Sequence, residues 1–209
     1  MMNKSILLMG TLLVSASVEI AAQKNSENPN IVFVLADDMG IGDLGCYGQK
    51  KIKTPNIDKL AEKGVLFTNH YSGSTVSAPS RCSLLTGKHT GHAYIRGNKG
   101  IKSEEGFFDL HLPSDEVTVA EILKRKGYAT MCVGKWGLGG PHTTGSPVKK
   151  GFDYFFGYLS QGAAHRYYPE YLYENEDKVM LNKKVYSHFL IMEKGLDFIR
   201  KNAGHPFFA

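Results

Sequence analysis

The chain has 209 residues, of which 42% are hydrophobic and 22% charged, and its formal net charge is +5. This composition and length suit a globular protein with one sizeable core, and they exclude collagen, coiled coils and low-complexity disorder. Three cysteines in the whole chain are too few for a disulfide scaffold. The mild basic excess suits an anionic substrate, although it is equally common in proteins that bind nothing anionic.

The first 22 residues have the organisation of an export signal. Lys4 precedes an apolar run over residues 6–14, and Ala21-Ala22 follows as a plausible cleavage point. The run is too short to span a bilayer as a helix, so no membrane span is expected. Residues 23–29 are polar and read as a flexible lead-in. The sequence therefore predicts an exported protein, periplasmic or secreted, with a buried N-terminal helix as the alternative.

Residues 30–209 alternate between strand and helix patterns. The apolar run over residues 30–36 predicts a central strand covered on both faces, because its β-branched side chains are not interrupted by polar ones. Asp37 and Asp38 follow at its carboxyl end, where α/β proteins place their active sites. The later predicted elements are helices over 57–63, 78–87, 117–126 and 187–200, and strands over 65–69, 128–133 and 206–209. Residues 88–113 show no clear period. The alternation predicts a layered α/β fold.

Two groups of residues suggest chemistry. The adjacent carboxylates of Asp37 and Asp38 repel each other unless a cation lies between them, and Ca²⁺ and Mg²⁺ bind carboxylate oxygens. A solvated acidic turn is the alternative. Ser77 precedes a helix that Pro79 starts, where backbone N–H groups favour an anion, and Arg81 lies one turn further on. A capping serine with a surface arginine is the alternative.

The segment Ser77–Gly87 reads Ser-Ala-Pro-Ser-Arg-Cys-Ser-Leu-Leu-Thr-Gly, which resembles the type I sulfatase signature Ser-x-Pro-Ser-Arg-x-x-x-Leu-Thr-Gly. Further segments resemble that family in the expected order, namely Asn30–Gly40, Thr54–Ala61, Gly134–Trp136 and Lys150–Gly157. The resemblance covers about residues 30–209. It implies an alkaline-phosphatase-like layered fold, in which a mostly parallel or mixed sheet lies between helices.

The resemblance also implies a reaction, the hydrolysis of sulfate esters. Ser77 falls on the position that a maturation enzyme oxidises to formylglycine, whose hydrated form attacks the sulfur and then expels sulfate. Arg81 matches the arginine that steadies this group, and Lys135 matches the lysine that contacts the sulfate. Asp37, Asp38 and Ser77 match metal ligands, for which Ca²⁺ is the usual ion.

Other positions are weaker candidates or depart from the family. His165 and Ser160 are candidates for substrate contact, and a surface or packing role is the alternative for both. Gly137 stands where the family often has histidine, so a general acid must come from elsewhere. The family usually carries a further histidine, an Asp-Asn pair and a second lysine, which would follow Ala209. We therefore expect residues 30–209 to be the N-terminal portion of a sulfatase catalytic domain, truncated at its C-terminus, with weak metal binding and negligible turnover alone.

The substrate implied by the resemblance is a sulfated small molecule or glycan, and no nucleic-acid partner is expected. A phosphatase or phosphodiesterase of the same superfamily, using Ser77 directly, is one alternative. A non-catalytic carbohydrate-binding relative is another. The signature with Pro79 and Arg81 intact favours the sulfatase.

Overall fold

The computed structural model of the chain describes residues 28–103 and 106–209. The predicted export signal over residues 1–22, and residues 23–27 of the lead-in, therefore lie outside the described residues. The α-helices are α1 (Pro55–Lys63), α2 (Ser77–Thr86), α3 (Val119–Arg125) and α4 (Ser187–Asn202). The strands are β1 (Gly100–Ser103), β2 (Gly106–Asp109), β3 (Ala129–Lys135), β4 (Tyr154–Tyr158), β5 (Tyr171–Glu174), β6 (Asp177–Met180) and β7 (Phe207–Phe208). None of the helices in these ranges is long and apolar enough to cross a bilayer.

A mixed five-stranded sheet in the order β6-β5-β4-β3-β7 forms the centre of the fold. Strand β3 pairs in parallel with β4 on one side and with β7 on the other. Strands β4, β5 and β6 pair antiparallel, and β1 and β2 form a separate antiparallel pair. The chain between β3 and β7 includes α4, which packs against β3 and β4.

Apolar clusters cover both faces of this sheet. Phe155 and Phe156 are neighbours in β4, so their side chains point to opposite faces, and both are buried. Phe155 belongs to a cluster with residues of α2 and α3, whereas Phe156 packs with Ile191 of α4. Helix α4 comes close to β3 at Gly195, where a Cβ atom would lie 3.4 Å from Cγ2 of Val133. This is an ordinary van der Waals distance, so the packing alone does not explain a glycine that costs the helix about 1 kcal/mol relative to alanine.

The helix predictions are confirmed, as are the predicted strands that become β3 and β7. Helix α3 begins two residues later than predicted, because Thr118 caps it. The backbone N–H of Glu121 donates to Oγ1 of Thr118 over 3.2 Å, and Oε2 of Glu121 accepts from the backbone N–H of Thr118 over 2.8 Å. Such a reciprocal capping box fixes the start of a helix.

The prediction of a central strand over residues 30–36 is wrong. Ile31 forms a parallel bridge with Phe208, and the backbone N–H of Phe33 donates to the carbonyl of Ala209 over 2.7 Å, but the pairing stops there. The side chains of residues 32–35 are between 44% and 84% exposed. Within the described ranges no strand lies on the far side of this segment, so the apolar run is an edge rather than a centre.

The predicted strand over residues 65–69 is also wrong, since these residues form no strand and Val65, Leu66 and Phe67 are exposed. Four elements that the sequence patterns did not indicate are strands. They are β1 and β2 within the irregular region 88–113, and the hairpin of β5 and β6. Strand β4 lies in a segment singled out only for its family resemblance.

Candidate active site

Three segments of the chain meet at the carboxyl end of β3. Lys135 is the last residue of that strand, and Asp37 follows the segment that runs parallel to β7. The carboxyl ends of parallel strands lie at one edge of a sheet, so these two side chains share an edge. The N-terminus of α2, with Ser77 as its first residue, lies at the same place. The structure therefore brings together the residues that the sequence singled out separately.

The guanidinium of Arg81 joins the three segments. Its Nε donates to Oγ of Ser77 over 3.1 Å, and its Nη1 donates to the carbonyl of Lys135 over 2.7 Å. Its Nη2 lies 3.5 Å from Oδ1 of Asp37. Ser77 and Arg81 are four residues apart on α2 and so occupy one face of the helix. A planar guanidinium can hold all three contacts at fixed angles, which a lysine cannot do.

Asp37 is the carboxylate at the centre of this group. Its Oδ1 accepts a hydrogen bond of 3.3 Å from Oγ of Ser77, and its Oδ2 pairs with Nζ of Lys135. Partial burial acts to raise the pKa of Asp37, but hydrogen bonding and charge from Lys135, with smaller effects of Arg81 and Ser77, hold that pKa below its usual value. Asp37 is therefore ionised at neutral pH.

The electrostatic character of the site follows from the burial of its cations. The side chains of Arg81 and Lys135 are each 13% exposed, whereas that of Asp37 is 44% exposed. Two largely buried cations thus contact one carboxylate. Positive charge in such a partly enclosed place attracts an anionic group more strongly than the same charge in open solvent.

A cavity of about 620 Å³ opens beside these residues, a size that suits a small organic ligand. Its lining includes five of the residues predicted from the sequence, which are Asp37, Asp38, Arg81, Lys135 and His165. Ser77 is not among the lining residues, but its hydroxyl is hydrogen-bonded to two of them, Arg81 and Asp37. Ser160 is half-buried and is not part of the lining.

The oxygen donors present fit a hard divalent cation in kind. Carboxylates and a hydroxyl, as in Asp37, Asp38 and Ser77, are ligands that Ca²⁺ accepts, but Ca²⁺ takes six to eight of them. Asp38 is exposed, with its backbone at φ +56°. Across residues 28–103 and 106–209, no group of three or more His, Cys, Asp or Glu side chains is placed to hold a metal ion. Asp37, Asp38 and Ser77 are therefore oxygen donors of the right kind, but too few to complete the coordination of such a cation.

Gln161 and Asp109, which lie close to Gly137 and Lys135, carry no sequence motif that pointed to them. Gly137 has φ +78°, and a Cβ atom there would lie only 1.8 Å from Nε2 of Gln161. The backbone N–H of Gln161 donates to Oδ2 of the buried Asp109 over 2.6 Å. Burial raises the pKa of Asp109, although that hydrogen bond and the charge of Lys135 act against it. The only sequence signal here was the glycine at position 137, where the resembled family often has histidine.

The family model and the curated relatives that match this chain all carry the description sulfatase. The sequence model of the family described as Sulfatase matches residues 29–209. An N-acetylgalactosamine-6-O-sulfatase from Bacteroides thetaiotaomicron is 47% identical over 142 residues, covering 64% of this chain and 27% of that protein. The human N-acetylgalactosamine-6-sulfatase is 34% identical over 207 residues, covering 86% of this chain and 38% of that protein.

Solved structures show the same likeness. One, described under the metabolism of multiple glycosaminoglycans by Bacteroides thetaiotaomicron, superposes with a TM-score of 0.73 at 30% identity, covering 88% of this chain and 50% of that one. Another, in complex with its substrate D-glucosamine-2-N,6-O-disulfate, gives a TM-score of 0.66 at 29% identity, covering 87% of this chain and 33% of that one. The predicted layered α/β fold is thus confirmed. The chain spans half or less of the length of each relative named above.

Proposed function

The chain belongs to the sulfatase family, and we propose that it carries part of the active site of an enzyme that hydrolyses sulfate esters of glycans. The observation that carries this proposal is the position of the Ser77 hydroxyl. It lies at the first residue of a helix, hydrogen-bonded to both Arg81 and Asp37. The ammonium of Lys135 pairs with the same carboxylate.

We assign Ser77 as the residue that is oxidised to formylglycine, with a maturation enzyme as the partner that does so. In hydrated form that group supplies an oxygen nucleophile for the sulfur of the ester. The position of Ser77 supports this assignment, because the first N–H groups of a ten-residue helix favour an anion beside it. Arg81 donates to the side-chain oxygen at position 77 and so fixes its direction.

Lys135 and Arg81 bind the sulfate group in this proposal. Both are largely buried, so their charges act in a medium of low polarity and stabilise the negative charge that develops during ester cleavage. Asp37, Asp38 and Ser77 would hold a divalent cation, for which Ca²⁺ is the simplest choice. A bound cation would add positive charge beside the sulfate oxygens. Because these residues supply only part of its ligands, we expect weak binding by this chain alone.

A sulfated glycan is the substrate class that the relatives favour. Two curated relatives are named for N-acetylgalactosamine sulfate esters, whereas others are named steryl-sulfatase and arylsulfatase. One structural relative was solved with D-glucosamine-2-N,6-O-disulfate. His165 lines the cavity and is assigned to substrate contact, whereas Ser160 has less support. The signal-like first 22 residues support export to the periplasm or beyond, where such glycans are met.

Mass spectrometry of the peptide that contains Ser77 tests the central assignment. The chain is produced together with a formylglycine-generating maturation enzyme, and the expected result is the loss of two hydrogens at Ser77 with labelling by an aldehyde-reactive hydrazide. Ser77→Ala must abolish labelling, whereas Ser83→Ala, a change in the same helix at a position that the signature leaves variable, must keep it. Unmodified Ser77, combined with preferential binding of phosphate esters, would instead support the phosphatase alternative.

Calorimetry tests the cation assignment separately. We expect Ca²⁺ to bind this chain more weakly than micromolar, and Asp38→Asn to weaken it further because one of few ligands is lost. Asp43→Asn, a change at an exposed carboxylate in the same part of the chain, should have no effect. Micromolar affinity in the unmodified chain would contradict the view that the ligand set is partial.

A further inference from the structure

We propose that a cluster of aromatic rings at the rim of the cavity is a stacking subsite for a second sugar ring of the substrate. We call this cluster the aromatic platform, and it consists of Tyr167, Tyr168, Tyr186, His188 and Phe189. The inference rests on the proposed function and narrows its substrate to a sulfated oligosaccharide of at least two sugars.

The rings of the platform form one connected group around Tyr186. Its ring centroid lies 6.1 Å from that of Tyr167, 5.6 Å from that of Tyr168 and 5.1 Å from that of Phe189. His188 is stacked on Tyr186 at 5.5 Å, with 20° between the planes. These distances fall in the range in which aromatic rings attract one another. The rings therefore hold each other in place without a ligand.

A backbone contact fixes the two chain segments that carry these rings. The N–H at the start of α4, on Ser187, donates to the carbonyl of Tyr167 over 2.9 Å. Beneath them, the hydroxyl of Tyr158 donates to the carbonyl of Arg166 over 2.6 Å. A ligand that binds such a preformed surface loses less free energy to ordering of side chains than one that binds a loose surface.

Three rings of the platform are largely exposed. Tyr167 is 55% exposed, Tyr168 57% and Phe189 73%. A contiguous apolar patch on a protein surface commonly marks a place where something binds. A sugar ring suits tyrosine and histidine in particular, because it presents C–H bonds on its faces and hydroxyl groups around its edge.

The platform continues into the cavity of the active site. Tyr167 and His188 line the same cavity as Asp37 and Lys135, so an oligosaccharide whose sulfate reaches those residues passes the platform. The adjoining Arg166 is exposed and cationic, which favours a polyanionic ligand. This continuity favours a sugar over a protein segment as the occupant, although Phe189 also begins an exposed apolar face of α4 with Met192 and Leu196.

Binding measurements on the full chain test the platform. Calorimetry compares N-acetylgalactosamine 6-sulfate with a tetrasaccharide that carries the same sulfated sugar at one end, and each with its unsulfated form. We expect the sulfated tetrasaccharide to bind at least tenfold more tightly than the sulfated monosaccharide. Tyr167→Ala and Tyr186→Ala should each remove about tenfold of the tetrasaccharide affinity and much less of the monosaccharide affinity.

Two variants control this experiment. Tyr167→Phe keeps the ring and should keep the tetrasaccharide affinity, which separates stacking from a hydrogen bond of the hydroxyl. Tyr94→Ala removes a ring that is 49% exposed outside the platform and should change neither affinity. Because Tyr167 is more than half exposed, its truncation should lower the urea midpoint only slightly, by the loss of its contacts with Tyr186 and His188.

The outcomes separate failure of the platform from failure of the proposed function. Equal tetrasaccharide affinities for wild type, Tyr167→Ala and Tyr186→Ala would overturn the platform alone, as would equal losses for both sulfated ligands. Unchanged affinities together with a clearly lowered urea midpoint would show that the rings only stabilise the fold, which also overturns the platform. If the wild type does not prefer the sulfated monosaccharide to the unsulfated one, the proposed function itself fails, and the platform with it.

Discussion

Replacing Gly137 by alanine is a direct test of how the region behind Lys135 is built. We expect two separate contributions to lower the free energy of unfolding, one from the backbone and one from packing. A backbone at φ +78° costs an L-residue about 1–2 kcal/mol. The new Cβ would also lie 1.8 Å from Nε2 and 2.5 Å from Cδ of Gln161, and such overpacking in a buried place costs about 1–3 kcal/mol. We therefore expect Gly137→Ala to lower the free energy of unfolding by about 2–5 kcal/mol.

A matched glycine separates the two costs. Gly127 has φ +84°, but a Cβ atom there would meet nothing within 4 Å. Gly127→Ala should therefore lower the free energy of unfolding only by the backbone cost of about 1–2 kcal/mol. The double variant with Gly137→Ala and Gln161→Ala should be about 1–3 kcal/mol more stable than Gly137→Ala alone. The overpacking at Gln161 is then relieved, whereas the backbone cost remains.

Urea unfolding followed by circular dichroism compares Gly137→Ala, Gly127→Ala, Gln161→Ala and the double variant with the wild type. Equal destabilisation at positions 127 and 137 would refute the overpacking, and so would a double variant whose loss is the sum of the two single losses. A histidine at position 137 would meet the same side chain of Gln161, so Gly137→His should destabilise the fold as well.

Three further predictions concern other contacts. Lys150→Met should lower the free energy of unfolding by about 2–4 kcal/mol, because its buried ammonium donates to the carbonyls of residues 113, 114 and 116, which would lose that partner. Lys149→Met, at an exposed position, should change the urea midpoint little. Partial burial acts to raise the pKa of Asp153, but Lys124 and hydrogen bonds from residue 130 hold it below 3.8. The resulting stabilisation is present above pH 3.8 and is lost as the pH falls through the lowered pKa, so the gap in urea midpoint between wild type and Asp153→Asn should shrink below pH 4. Arg81→Lys should weaken calorimetric binding of the sulfated monosaccharide at least tenfold, since charged hydrogen bonds contribute about 1.5–3 kcal/mol each; unchanged affinity would remove Arg81 from the sulfate site.

Local patterns in the sequence predicted the helices well. Helices α1 to α4 depend on apolar spacing, proline starts and glycine ends within one short segment. Strands were predicted less well, because pairing depends on distant residues. The apolar run over residues 30–36 looked central, yet it has a partner on one side only among the described residues. The hairpin of β5 and β6 did carry a local signal, since Asn175, with φ +56°, begins its two-residue turn.

In the candidate site, too, residues in local motifs could be predicted from the sequence, whereas residues brought together by long-range packing could not. Ser77, Arg81, Asp37 and Lys135 stand in segments that resemble family motifs, and the structure places them within contact of one another. The residues around them carry no motif. Gln161 matters because its side chain fills the space at Gly137, and the aromatic platform exists because two distant segments meet. Both depend on long-range packing, which no local pattern in one sequence records.

The pairing of residues 31–33 with residues 207–209 sets an order of assembly during synthesis. Asn30 and Phe207, which share a hydrogen bond, are 177 residues apart along the chain. At translation rates of 5–20 residues per second, roughly 10–35 s separate the emergence of these two ends. The contact between Ser77 and Arg81 spans one helical turn and can form early in that interval. The backbone segment that leads to Asp37 gains its partner only after β7 has been made, so the surroundings of this carboxylate are completed later than the contact within the helix.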